Sequence, residues 1–130
     1  MKSDPKECLY CQNNETLHNL MIEIAQLSVS RVFLFKEQTY RGRCLVSYKD
    51  HVNDLNELND EDRNAFMADV TRVTRAMQKA FQPEKINYGA YSDKLSHLHF
   101  HLAPKYVDGP DYGGCLLYTS PSPRDRQKSR

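Results

Sequence analysis

The chain is 130 residues long, with 18 Lys and Arg against 17 Asp and Glu, a formal net charge of +1 and 39% hydrophobic residues. That size fits one domain of ordinary dimensions, and the near-neutral balance leaves no basic footprint for a nucleic-acid polymer. No apolar run approaches the roughly 20 residues of a membrane-spanning helix, no leader segment is recognisable and the cysteines do not suggest a disulfide framework, so the expected location is the cytoplasm.

Residues 1–7 are polar, and Cys8-x-x-Cys11 follows them. Taken alone, this pair reads as a redox couple, half of a metal site or two unrelated thiols. No βαβ pattern comes after it, which argues against a thioredoxin-like motif. Leu17, Leu20, Met21, Ile24 and Leu27 recur at helical spacing and predict a helix from about residue 14 to residue 28. "SRVFLFKE" reads as a strand, "TYRGR" as a turn centred on Gly42 and "CLVSYK" as the returning strand of a hairpin, with Cys44 in the core. Residues 50–59 form a loop carrying His51. Asn59 then caps a long helix whose first turn is acidic, as the helix dipole favours. Its apolar stripe is Phe66, Met67, Val70, Val73, Met77 and Phe81, the two methionines serving as core filler, and Pro83 ends it. "KINYGAY" reads as a strand, residues 92–94 as a short loop, and the stretch from Ser96 to Tyr106 as the last strand. The predicted order α-β-β-α-β-β is α+β, an antiparallel sheet with two main helices.

The last strand, "SHLHFHLAPKY", carries His97, His99 and His101 at every second position, with Leu98, Phe100 and Leu102 between them. In a strand, alternate residues share a face and lie roughly 6.7 Å apart, which places all three imidazoles on one side and the outer two about 13 Å from each other. Metal–imidazole bonds are only about 2 Å long, so an unbent strand cannot bring all three to one ion, though a neighbouring pair can converge. Such a row suits a long polar ligand such as a phosphate chain. Imidazole can donate to phosphate oxygens, and a neutral one can attack phosphorus. The competing reading is a polar strand face with incidental histidines.

The final sixteen residues, "CLLYTSPSPRDRQKSR", translate codon by codon from a transposase-type sequencing adapter through Asp125. An eight-base index and the adapter's constant end account for residues 126–130. Residues 115–130 are therefore expected to be read-through, and the natural protein is expected to continue past Gly114 with another sequence. This tail holds four basic residues and one acidic, which leaves 14 basic and 16 acidic residues in 1–114 and a net charge of −2. A phosphate ligand must then be held by local groups.

The "HLHFHLA" stretch resembles the His-φ-His-φ-His-φ-φ signature of the histidine triad superfamily of nucleotide hydrolases and transferases. "FLFKEQTYRGRCLVSYKDHVNDLNEL" is similar to the family's hairpin and the His-containing turn after it, and "KINYGAYSDKLSHLHFHL" to its approach to the triad. The likeness covers about Cys8 to Tyr106 and implies one such domain over residues 1–114. It further implies a homodimer acting on small-molecule adenylyl nucleotides, whether phosphoramidates, dinucleoside polyphosphates or acyl- and sulfo-nucleotides.

By this resemblance His99 is the nucleophile that attacks the α-phosphorus and forms a nucleotidyl-histidine, the two-step logic of covalent catalysis. His101 would bond phosphate oxygens or assist proton transfer, and His97 would shape the site or ligate a metal. The resemblance also implies a structural zinc held by Cys8, Cys11, His51 and His97, a set that completes a tetrahedron. Two buried thiols and a hydrogen-bonded His51 are the alternative. The phosphoryl chemistry itself requires no cofactor. Asn87 and Gly89 resemble the family's substrate-contacting approach to the triad, or are a strand-end turn pair. In place of the Gly-Gln-Ser or Gly-Gln-Thr segment of the eukaryotic branch stands Ser92-Asp93-Lys94, where Ser92 is a candidate contact to the leaving group. Two other classes stay open. One is a metal-dependent enzyme using His97-x-His99 as its metal pair, which chelation would inactivate. The other is a nucleotide-binding protein with weak catalysis, which would bind without turnover.

Overall fold

The structure is a computed structural model that describes residues 8–91 and 96–114. Among these, two short helices, α1 (Leu9–Gln12) and α2 (Glu15–Leu20), lead into three strands, β1 (Met21–Gln26), β2 (Ser30–Phe35) and β3 (Cys44–Tyr48). A single 3-10 turn over Leu55–Glu57 precedes the long helix α3 (Asp60–Phe81), and β4 (Lys85–Gly89) and β5 (His99–Lys105) close the chain. The five strands form one sheet in the order β1-β2-β3-β5-β4, and every pairing is antiparallel. This is the expected α+β class.

The long helix begins where its cap predicts: the Asn59 side chain accepts from the Asp62 N–H at 2.8 Å, and Asp60, Glu61 and Asp62 fill the first turn. It ends at Gln82, which takes the left-handed conformation at φ 53° just before Pro83. Phe66, Val70 and Met77 pack from α3 against Val46, Tyr48 and Leu102 of the sheet, with Met67, Val73 and Phe81 at the margin. Cys44 is buried in this core. Also on α3, the fully buried Asp69 accepts from Ser28 Oγ, Val29 N and Ser30 Oγ at 2.9, 2.9 and 2.8 Å. It thereby ties the helix to the turn between β1 and β2.

The predicted helix over residues 14–28 is corrected. Helix α2 stops at Leu20, and Met21–Gln26 pair with β2 as the edge strand β1. Met21 and Ile24 fit a helical stripe in the sequence, but the neighbouring strand offers them a ladder, and tertiary pairing overrides local periodicity. Ile24 lies exposed there, which a core-facing helical stripe would not allow.

Sheet register sets the two faces. Phe100, Leu102, Val46 and Val32 point toward α3. Opposite them, His99 pairs with Ser47, His101 with Leu45 and Gly89, and Arg31 and Phe33 continue the same face on β2. Helices α1 and α2 cover part of that second face, where Cys8, Tyr10 and Leu17 pack on Met21, Phe33 and Leu45.

Candidate active site

Strand β5 begins at His99, so His97 stands on a bend before it, and the expected unbroken row of three is corrected. His99 and His101 remain neighbours on the strand, their ring centroids 5.0 Å apart. His97 turns instead toward α1. Two backbone bonds pin the bend: Leu98 N donates to Val52 O at 2.7 Å and Tyr48 N donates to Leu98 O at 3.0 Å. They bring the loop carrying His51 alongside.

His97 Nε2 lies 2.6 Å from the Tyr48 carbonyl. A carbonyl only accepts, so Nε2 carries the proton and Nδ1 the lone pair. That Nδ1 points into a cluster, 3.2 Å from Cys8 Sγ, 3.5 Å from Cys11 Sγ and 3.3 Å from His51 Nδ1, with Cys11 Sγ 3.3 Å from His51 Nδ1. All four donor atoms lie within 4.8 Å of one another. Ideal tetrahedral bonds of about 2.05 Å to nitrogen and 2.3 Å to sulfur put such atoms about 3.3–3.8 Å apart. The donor set and spacing thus fit a closed four-coordinate ion, with the Tyr48 carbonyl fixing the tautomer of one ligand. The cysteines come close because α1 is short and tightly held: Cys8 caps it by accepting from Cys11 N at 3.5 Å.

His99 is buried, and its Nδ1 lies 2.6 Å from the His97 carbonyl. The proton is therefore on Nδ1, and Nε2 bears the lone pair. Burial holds its pKa below the usual histidine value, against the opposing pull of the His97 and Tyr91 main chain. His101 is pushed down to about 3, first by burial and then by His99 and Arg43, and His97 down to about 4, chiefly by burial. All three rings are neutral at pH 7. A neutral imidazole with its second nitrogen hydrogen-bonded can act as a nucleophile without prior deprotonation.

Of the other expected residues, Gly89 sits opposite His101 and Asn87 opposite Ala103, both on the histidine face. Asn87 lines a cavity of about 330 Å³ with Lys85, Lys105 and Tyr112, one register step beyond His101. Ser92 lies outside the described residues.

Three residues went unnoticed in the sequence. Tyr10, between the two cysteines, places its ring 5.3 Å from both His97 and His99. Arg31 donates to Tyr10 O at 2.9 Å and Asn13 Oδ1 at 3.0 Å and pairs with Glu23 at 3.0 Å, which clamps α1 to the sheet. Arg43 lies against His101. Standing one residue before β3, it extends the alternation of Leu45 and Ser47, which was the available signal for a cation on the histidine face.

A family profile described as the HIT domain matches residues 14–108. The chain belongs to the HIT family. It is 30% identical over 89 residues to the adenosine 5'-monophosphoramidase hnt1 of Schizosaccharomyces pombe, a match covering 65% of this chain and 64% of that one. The chain spans less than two thirds of the length of the curated relatives it matches. Its fold resembles the crystal structure of a histidine triad protein from Sinorhizobium meliloti, with TM-score 0.74 and 21% identity over 89% of this chain and 88% of that one. It also resembles a Zn-bound histidine triad family protein from Mycobacterium smegmatis, with TM-score 0.64 and 22% identity over 81% and 79%. No described helix is long and apolar enough to cross a membrane.

Proposed function

We propose that this chain is a nucleotide hydrolase or nucleotidyl transferase acting on the α-phosphate of adenylyl or related nucleotides, with His99 as nucleophile. The observation that carries this reading is the 2.6 Å bond from His99 Nδ1 to the His97 carbonyl, which leaves the lone pair on Nε2 of a buried, neutral ring. In the proposed first step Nε2 attacks the α-phosphorus and the bond to the leaving group breaks, its electron pair departing with that group. Water or another acceptor then displaces His99 and releases the nucleotide. The phosphoramidase relative supports an adenylyl substrate, and Asn87 and Gly89 stand on the face where one would lie. We further propose zinc as the ion of the Cys8, Cys11, His51 and His97 cluster, in a structural role, supported by the donor spacing and by the Zn-bound relative. When bound, it would hold α1 and the bend at His97 together. A catalytic metal on a His97–His99 pair fits less well, because Nδ1 of His99 is committed to a carbonyl and both ring nitrogens of His97 are engaged elsewhere.

The test is rapid quench with a radiolabelled adenylyl phosphoramidate. Acid-labile, base-stable label should appear on wild-type protein and be absent from His99→Ala, whose fold and AMP binding are retained. Retention of most activity by His99→Ala would sink the mechanism.

A further inference from the structure

Arg43 enters β3 with its backbone pinned, its N–H donating to Tyr40 O at 2.9 Å and its carbonyl accepting from Phe35 N at 3.2 Å. Its guanidinium carbon lies 4.4 Å from the centroid of the Phe35 ring, on which His101 also stacks with centroids 5.6 Å apart and planes at 21°. Among the described residues, Arg43 Nε is buried without a hydrogen-bond partner, and no carboxylate lies within ion-pairing distance of the group. The Glu37 carboxylate acts on it only through space, from beyond ion-pairing distance, and a half-buried cation without a direct anionic partner is well placed to receive one. The polar contact it does make is from Nη2 to His101 Nδ1, at 3.3 Å.

That contact fixes chemistry. Guanidinium has only donors, so His101 Nδ1 must accept, and the proton of the neutral ring sits on Nε2. His99, 5.0 Å away, has the opposite arrangement, with its proton on Nδ1 and its lone pair on Nε2. The two adjacent rings thus offer one lone pair and one N–H from equivalent nitrogens. We propose that Arg43 is a positioning residue for the reaction: it holds His101 in the Nε2–H tautomer, as a neutral hydrogen-bond donor to a phosphoryl oxygen beside the His99 lone pair. The proposal rests on the nucleotidyl-transfer reading for its ligand. It also has a consequence for roles. A neutral imidazole donor stabilises charge but does not surrender its only N–H proton, so the proton taken up by the leaving group is not that of His101.

The experiment pairs long-range ¹H–¹⁵N correlation spectra of the histidine rings with calorimetric binding of AMP and of adenosine, on wild type, Arg43→Met and Arg43→Lys. His101→Gln assigns the ring signals. Wild type should show His101 as Nε2–H and His99 as Nδ1–H. Arg43→Met should let His101 populate both tautomers and weaken AMP roughly 10- to 100-fold, the range for a hydrogen bond involving a charged group, with adenosine unaffected. Arg43→Lys, which keeps a donor and a charge, should restore much of both. A wild-type His101 protonated on Nδ1 overturns the proposal, and this spectrum decides even if Arg43→Met does not fold. An unchanged tautomer in Arg43→Met also overturns it, leaving Arg43 only its charge, as does a changed tautomer with undiminished AMP affinity. Failure of wild type to bind AMP would refute the nucleotide reading instead, while the tautomers would still test what Arg43 does to His101.

Discussion

Folding should oppose protonation of His101, and the size of that opposition can be worked out. The folded ring is pushed down to about 3, whereas an unfolded histidine titrates near 6.5. Between those values the unfolded chain binds a proton that the native protein does not, so stability rises with pH and is lost as pH falls. The contribution is fully present above pH 6.5 and declines by about 1.4 kcal/mol per pH unit below it. From pH 7 to pH 4.5 this amounts to about 3 kcal/mol, and nearer 2 because partial contact with water screens the ring. Protonation of carboxylates and loss of any bound metal over the same range would destabilise wild type and variant alike. The informative quantity is therefore a difference. Urea unfolding of wild type and His101→Gln should be followed at half-unit steps from pH 7.5 to pH 4.5, with the two stability curves subtracted. The variant should be the less acid-sensitive by about 2 kcal/mol at pH 4.5. Parallel curves would show that His101 is hydrated and titrates normally, and the account of a neutral donor buried between His99 and Arg43 would be wrong.

Two further outcomes test the supports of the site. Purified protein should contain about one zinc per chain. Cys8→Ser combined with Cys11→Ser should abolish it and lower Tm by roughly 10 °C or more, since the energy of binding a structural metal is folding energy; metal-free wild type of unchanged Tm would refute the cluster as a zinc site. Asp69→Ala strips the acceptor from three donors at a fully buried position and should cost about 3–5 kcal/mol in urea unfolding. A loss under about 1 kcal/mol would mean that water reaches the donors.

Which features were legible in the sequence follows a physical rule. The hairpin, the long helix with its Asn59 cap and the final strand announce themselves through local chemistry, namely a cap, a turn glycine or strict alternation. The cluster of Cys8, Cys11, His51 and His97 became readable through residue type and family likeness together, because the donors are spread over about ninety positions and only the fold unites them. Strand β1 was misread because its apolar positions satisfy both periods, and only its pairing with β2 decides between them. Tyr10, Arg31 and Arg43 escaped for a related reason. Each matters through a contact distant in sequence, of Tyr10 with His99, of Arg31 with the carbonyl of Tyr10 and of Arg43 with His101, and no local pattern encodes which ring an arginine will meet.

The bend at His97 joins the Cys/His cluster to the histidine pair on β5. One residue uses its ring for the cluster and its carbonyl for the neighbour: Nδ1 faces the thiols, and the backbone oxygen accepts from His99 Nδ1 at 2.6 Å. A strand that stayed regular through His97 would point the ring correctly, but a carbonyl within a ladder is usually spent on the next strand. Starting β5 two residues later releases that carbonyl for a side chain. Tyr10 adds a second link, since its ring touches both histidines and its backbone is clamped by Arg31. Tyr10 thereby joins α1 to both rings. The alternation of three histidines serves two places: the first anchors the bend, and the other two stand side by side on β5 with their protons on opposite nitrogens, as the proposed chemistry requires.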